Sequence, residues 1–303
     1  MSANDVSLPS AGIGIIGLGI MGGVFAKHLA AAGIRTSGYD LLPEKIHALN
    51  AAGGHGCTSA REVAEEADVI LTSLPSATAL EDALLGQAGV IAAARPGLLV
   101  VETSTLSLED KEHVRARLAG AGIAMMDAPI SGTGPQAQAK DIAIFASGDP
   151  DHFERAREFL GHLARSVRYV GPFGAGSKLK YIANLLVAIH VAAAAEAIVL
   201  GERAGLDPSM LVEVLTDSAA TSRMLEVRGP SMAASAYATP MMKLNVFQKD
   251  LDIIANFARE SKCPVPLFST AAPLFTAAAG QGMGLQDTAA VISIFRQLAQ
   301  ARV

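Results

Sequence analysis

The stretch Ile13-Gly14-Ile15-Ile16-Gly17-Leu18-Gly19-Ile20-Met21-Gly22 decides the fold. Its first four residues form a short β-branched run that reads as a buried strand. A G-x-G-x-x-G turn follows and opens a helix, predicted over residues 24–32 and stopped by Gly33. Gly17 permits the tight turn, Gly19 lets backbone approach a pyrophosphate, and Gly22 lets the helix pack closely on the strand. The helix start, with Ile20 and Met21, offers free N–H groups and the positive end of its dipole to that anion. A plain strand–helix turn has the same spacing, so the pattern needs a second residue. Asp40 supplies it at the end of the next predicted strand, residues 35–40. An acid there accepts hydrogen bonds from adenine-ribose hydroxyls and repels a 2′-phosphate, which favours NAD over NADP.

Working outward, strands are expected at residues 69–74, 98–102, 123–127, 142–146 and 168–170. Helices are expected at 43–52, 60–67, 78–85, 108–119 and 150–163, with Ser59 and Ser107 as caps. This alternation predicts a parallel α/β sheet of the doubly wound, Rossmann type. Its continuous apolar runs predict strands covered on both faces. Ligands of such sheets sit beyond the carboxyl ends of the strands, so Leu74-Pro75 and Thr105 share a cleft with the glycine turn. Ordinary turn chemistry explains the same residues on composition alone. Residues 1–10 read as a loose tail.

The pattern changes after Gly171-Pro172-Phe173-Gly174. Over residues 177–204 only Gly201 interrupts a helical run, and further helices are expected at 208–218, 237–261, 266–279 and 285–300. The domains are therefore a dinucleotide-binding α/β domain, residues 1–171, and an all-α domain, residues 172–303, linked by a long helix.

The 303 residues carry a net charge of −5; half are hydrophobic and 17% charged. Low charge with high hydropathy excludes disorder. A pI near 5.8 and the lack of a basic cluster argue against a nucleic-acid partner. Cys57 and Cys263 are the only cysteines, which excludes a disulfide scaffold and a Cys-rich zinc site. No metal is expected, and a reducing cytoplasm fits. Residues 11–26 lack the preceding Lys or Arg of a signal peptide. Residues 181–200 have the length of a membrane span but contain Asn184, His190 and Glu196, so a helix buried in protein is expected instead of a membrane. The apolar surplus predicts a large subunit interface around residues 177–204, in a homodimer or homotetramer.

Two further stretches carry chemistry. Asp127-Ala128-Pro129-Ile130-Ser131-Gly132-Thr133-Gly134 is a strand end opening into a loop of small residues. It can offer N–H groups and a hydroxyl to a carboxylate, or be a flexible connection. At the start of the long helix, Lys180 and Asn184 are i, i+4 and lie on one face. A Lys on an apolar helix can exchange a proton with a hydroxyl or carbonyl once desolvation lowers its pKa, and an Asn can orient the oxygen. The bland alternative is a solvent-facing Lys at a helix start, which is the reading for Lys178. Lys249-Asp250, adjacent on another helix, reads by itself as a solvated charge pair.

Taken together and in order, the glycine turn, the Asp127–Gly132 stretch, Gly174-x-Gly176-x-x-x-Lys180-x-x-x-Asn184 and Lys249-Asp250-Leu251 resemble the β-hydroxyacid dehydrogenase family. That family includes 3-hydroxyisobutyrate dehydrogenases and tartronate semialdehyde reductases, and the resemblance runs from about residue 13 to 295. It implies hydride transfer between NAD(H) and a small β-hydroxy acid or semialdehyde carboxylate. It implies Lys180 as general acid/base, Asn184 holding it and the substrate, and Ser131 and Gly132 on the substrate carboxylate. Leu74, Pro75, Thr105 and Lys249 would line the nicotinamide end, and the helical domain would build the oligomer. Thr133 departs from the family, which usually has Gly there. Thr133 is strained if its φ is positive; otherwise it narrows the pocket or adds a hydroxyl contact. Imine reductases share the fold but typically lack this Lys, and a non-catalytic dinucleotide-binding module is the other alternative.

Overall fold

The computed structural model describes residues 12–300, so the expected N-terminal tail lies outside it. The chain divides into two compact units, Met1–Lys180 and Tyr181–Val303.

In the first unit, strands and helices alternate from the start. They are β1 (Ile13–Ile16), α1 (Ile20–Ala31), β2 (Thr36–Tyr39), α2 (Pro43–Ala51), β3 (His55–Gly56) and α3 (Ala60–Glu66). Then come β4 (Val69–Thr72), α4 (Ala77–Leu85), β5 (Leu99–Glu102), α5 (Leu108–Gly120) and β6 (Ala124–Asp127). Ser59 and Ser107 accept N–H groups of α3 and α5, as their positions predict. The six strands form one sheet in the order β3-β2-β1-β4-β5-β6, all pairs parallel. The chain winds one way from β1 and the other way from β4, so the switch point lies between them. Both faces are covered. Ile13, Ile15, Val69 and Leu71 pack with Phe25 and Leu29 of α1 on one side, while Ile70 and Val100 pack with Val63, Leu80 and Val114 on the other.

The single continuous sheet is a correction. After β6 the chain forms β7 (Ile130–Ser131), α6 (Gly134–Gln138), β8 (Ala143–Ala146), α7 (Pro150–Gly161) and β9 (Ser166–Tyr169). These three strands make a second sheet, with β7 antiparallel to β8 and β9 parallel to it. Pro129 has no N–H to continue the first ladder. Its carbonyl instead accepts the N–H of Phe145, 3.0 Å away, and turns the chain into the new pairing.

A long helix, α8 (Ala175–Arg203), ends the first unit and continues into the second. Its 29 residues span about 43 Å. It is long and apolar enough to cross a membrane, by length and composition only. The second unit continues with α9 (Pro208–Thr216), α10 (Arg223–Ala233), α11 (Leu244–Glu260), α12 (Pro266–Ala278) and α13 (Ile292–Gln300). No strand occurs among its described residues. Its core joins Val191, Ala195 and Ile198 of α8 to Phe247 and Ile254 of α11 and Phe275 of α12. Several elements differ from expectation: β3 and α10 fall where no element is expected, and α1 begins at Ile20, ahead of the expected residue 24. The helix expected from 237 begins at Leu244, beyond Pro240, and the one expected from 285 begins at Ile292, after a 3₁₀ turn capped by Asp287.

Candidate active site

The glycine turn has the geometry its sequence demands. Gly17 has φ +89°, and a side chain there would run into the Ser73 carbonyl at the end of β4. A Cβ on Gly22 would occupy the place of the Gly17 carbonyl oxygen. Around Gly19 there is open space, with nothing within 4 Å of a Cβ. Gly19 is also the N-cap of α1; no side chain caps that helix, and its first turn holds no acid. The first N–H groups of α1, at the solvent-facing Ile20 and half-buried Met21, are thus presented to an anion. The turn fits a dinucleotide pyrophosphate.

Asp40 has a role beyond the one its position predicts. Its Oδ2 accepts the N–H of Leu18 at 2.7 Å, and its Oδ1 accepts the N–H of Leu42 at 2.9 Å. The carboxylate therefore clamps the glycine turn to the end of β2. Leu74, after β4, donates its N–H to Ser104 Oγ at 2.8 Å, which ties it to the end of β5. Pro75 is exposed and Thr105 half-buried. The ends of β1, β4 and β5 are neighbours in the sheet, so these residues and the turn share one edge.

In the 127–134 stretch, Gly132 has φ +147°, and its Cβ would press on the Ile142 side chain. Ser131 beside it is half-buried. Thr133 is extended, with φ −114°, so the strained alternative falls. Its N–H and hydroxyl both donate to Gln136 Oε1, at 3.0 and 3.1 Å, and start α6. The alternative of a flexible connection falls, because the stretch forms a short strand and a capped helix.

Lys180 is 5% exposed and Asn184 is 3% exposed, one turn apart on α8, whereas Lys178 faces solvent. The solvent-facing alternative for Lys180 falls. In the second unit, Asn184 Nδ2 donates to Asp250 Oδ2 at 2.9 Å. Asp250 is buried, and Lys249 Nζ lies 3.3 Å from its Oδ1. The pair read as solvated charges is thus half interior, with Asp250 anchoring Asn184.

Sequence reasoning missed a buried charge cluster. Lys111 of α5 is fully buried. Its Nζ lies 2.6 Å from Glu102 Oε2, 2.8 Å from Asp127 Oδ1 and 2.7 Å from the Ser104 carbonyl. Burial works against the ammonium, but Asp127 and Glu102 outweigh it and hold the Lys111 pKa above its ordinary range. Asp127 also accepts the Ser177 N–H and hydroxyl, both at 2.8 Å, and the Ser147 hydroxyl at 3.1 Å. Ser147 Oγ in turn accepts the Gly176 N–H. Ser177 stands three residues before Lys180, so one carboxylate joins the loop to the start of the Lys180 helix. A negative group there also suits the helix dipole. Lys111 sits in a run, Leu108-Glu109-Asp110-Lys111-Glu112-His113, that looks like any solvated helix face, and nothing in it signals burial.

Known proteins and family models match nearly the whole described chain. Residues 12–171 match the family model for the NAD binding domain of 6-phosphogluconate dehydrogenase. Residues 174–295 match the model described as the NAD-binding domain of NADP-dependent 3-hydroxyisobutyrate dehydrogenase. The chain is 40% identical to the L-threonate dehydrogenase of Cupriavidus necator, over 94% of this chain and 96% of that one. It is also similar to the crystal structure of 3-hydroxyisobutyrate dehydrogenase from Salmonella typhimurium. That match has a TM-score of 0.84 and 37% identity over 93% of this chain and 99% of the other. An imine reductase from Pseudomonas sp. covers 95% of this chain and all of its own at 21% identity and TM-score 0.58, a likeness of fold alone.

Proposed function

Since the chain belongs to the β-hydroxyacid dehydrogenase family, as an NAD(P)-dependent oxidoreductase of hydroxy acids, we propose that its substrate is a small β-hydroxy acid bearing further hydroxyls. L-Threonate, the substrate named for its 40% identical relative, is the type. The observation that carries the mechanism is the buried pair Lys180 and Asn184 on one helix face, in a chain with a glycine turn shaped for a dinucleotide.

Bound at that turn, the dinucleotide supplies the hydride acceptor. Ser131 Oγ–H and the Gly132 N–H donate to the substrate carboxylate. Lys180 Nζ takes the hydroxyl proton as the C–H bond gives up its electron pair. In reduction, the protonated Nζ returns a proton to the carbonyl oxygen. Asn184, anchored by Asp250, orients the substrate oxygen. Asp40 selects NAD by leaving no counter-charge for a 2′-phosphate. Leu74, Pro75 and Thr105 are assigned to the nicotinamide end, and Lys249 keeps its assignment to the cofactor on the family resemblance. Thr133 does not touch substrate through a free hydroxyl proton, because Gln136 accepts it.

The working form is a cytoplasmic homodimer or homotetramer without nucleic-acid or membrane partners. Two unpaired cysteines support the reducing compartment. Exposed Leu179, Ile182, Leu186 and Leu200 along α8 support a subunit interface there.

The test is turnover of the purified protein with NAD⁺ or NADP⁺ and a panel of L-threonate, 3-hydroxyisobutyrate and L-serine, plus a cyclic imine with NADH. We expect NAD⁺ reduction with the largest kcat/KM on the polyhydroxy acid. A preference for NADP⁺ would remove the Asp40 assignment. Turnover of the imine alone would favour C=N reduction, and firm NADH binding without any turnover would make the chain a binding module.

A further inference from the structure

Apart from the dinucleotide turn and the Lys180 helix, four side chains of the first unit bring ligand atoms to one place. A ring nitrogen of His55, the sulfur of Cys57 and one carboxylate oxygen each from Glu62 and Glu66 all lie within 4.8 Å of one another. The local sequence explains why. His55 and Cys57 are two residues apart at the end of β3, so the pleat sends both side chains to the same side. Gly56 between them faces Ile46 and Asn50 of α2, where a side chain has no room. The Gly56 N–H is held by Asn50 Oδ1 at 2.7 Å, and the Cys57 N–H by the Gly38 carbonyl at 2.8 Å. Glu62 and Glu66 are i, i+4 on α3 and share one face of it. Thr58 N–H and hydroxyl both donate to Glu62 Oε2 at 2.6 Å, which fixes that carboxylate.

We propose that His55, Cys57, Glu62 and Glu66 form a binding site for one divalent transition-metal ion, with Zn²⁺ the best match. The donor set is the argument for the ion's identity. One thiolate, one imidazole and two carboxylates suit a borderline-soft cation and not Mg²⁺ or Ca²⁺, which take oxygen ligands. Spacing agrees. Bonds of about 2.0–2.3 Å set tetrahedral ligand atoms about 3.3–3.8 Å apart. His55 Nε2 and Glu66 Oε1 already stand at 3.3 Å. The widest separation closes by about 1 Å, within reach of side-chain rotation. The site has a buried floor at Cys57 and an open rim at His55, so an ion can enter.

The ion must compete with the proton on Cys57. Burial, then Glu66, then Glu62, push the Cys57 thiol up to about 12. Two carboxylates and a thiol crowded together repel a further negative charge and attract a cation. On binding, the S–H bond breaks, its proton leaves to solvent, and its electron pair forms the metal–sulfur bond; His55 binds through a neutral nitrogen lone pair. The ion would staple β3, whose pairing with β2 covers only two residues, to α3. It is structural and takes no part in hydride transfer.

The test uses the whole protein stripped with a chelator. Zn²⁺ is titrated against a chromophoric competitor, and Co²⁺ serves as the spectroscopic probe. We expect one ion per chain, a thiolate-to-cobalt charge-transfer band, and a raised unfolding temperature with Zn²⁺. His55→Ala and Glu66→Gln, near the rim, should lower affinity about tenfold or more. Cys57→Ser should abolish the band, and Cys263→Ser should leave it intact. Equal Zn²⁺ affinity of the wild type and the two rim variants would overturn the site, even where Cys57→Ser fails to fold. So would a band that persists in Cys57→Ser or vanishes in Cys263→Ser.

Discussion

The turn at residues 17–22 and the loop at residues 127–134 both follow a parallel strand of one sheet, yet they are held in opposite ways. The first is a steric object. Gly17 and Gly22 stand where side chains would strike carbonyl oxygens, and the backbone and one acid, Asp40, hold the rest. The second is held by charge. Asp127, at the end of β6, is gripped by Lys111 from α5 and by Ser147 and Ser177 from further along the chain, while Glu102 on the neighbouring strand shares the same Lys. A steric demand can be met within six residues by glycines in order. A buried ion cluster needs partners from distant segments, because no single element can neutralise it.

The largest expected effect breaks the charge-held side. Lys111→Met leaves two buried carboxylates, register neighbours in the sheet, facing each other without a cation. We expect a loss of about 3–5 kcal/mol of stability in urea unfolding. Adding Glu102→Gln should return part of it, since one of the two charges is then removed. An unchanged urea midpoint in Lys111→Met would mean that the cluster does not hold the loop. The pH dependence has a definite sign. The Lys111 pKa is raised on folding, so its contribution is complete below about 10.5 and is lost only as pH climbs beyond that.

This contrast also explains what could be read from sequence. The glycine turn, Asp40, the parallel order of strands and the break into helices after residue 171 are all local signals: spacing, apolar runs and punctuation. Lys180 and Asn184 were visible as an i, i+4 pair, although only the fold shows that both are buried. Lys111 carries no signal in the sequence, and Asp250 is legible only as part of a motif and not as a buried group, because a charged residue in a charged run looks solvated until its partner, Asp127 or Asn184, is brought to it. The second sheet escaped for a similar reason. β7 has two residues, and its pairing depends on where Pro129 turns the chain. Thr133, which the sequence leaves open between strain and pocket shape, is a helix cap.

A smaller effect tests the steric side. Gly22→Ala forces a methyl group against the Gly17 carbonyl and should cost about 1–3 kcal/mol of stability. Displacement of the turn should weaken NADH binding about tenfold, measured by fluorescence titration. Unaltered NADH affinity would show that the turn tolerates a side chain and that its glycines are not what admits the dinucleotide.

The central claim is that Lys180, on the helix that Asp127 anchors, moves the proton in hydride transfer. The direct measurement is kcat of Lys180→Ala beside its NADH dissociation constant. The account predicts a fall in kcat of about 10²-fold or more with NADH affinity nearly unchanged. A variant that turns over at the wild-type rate would contradict it.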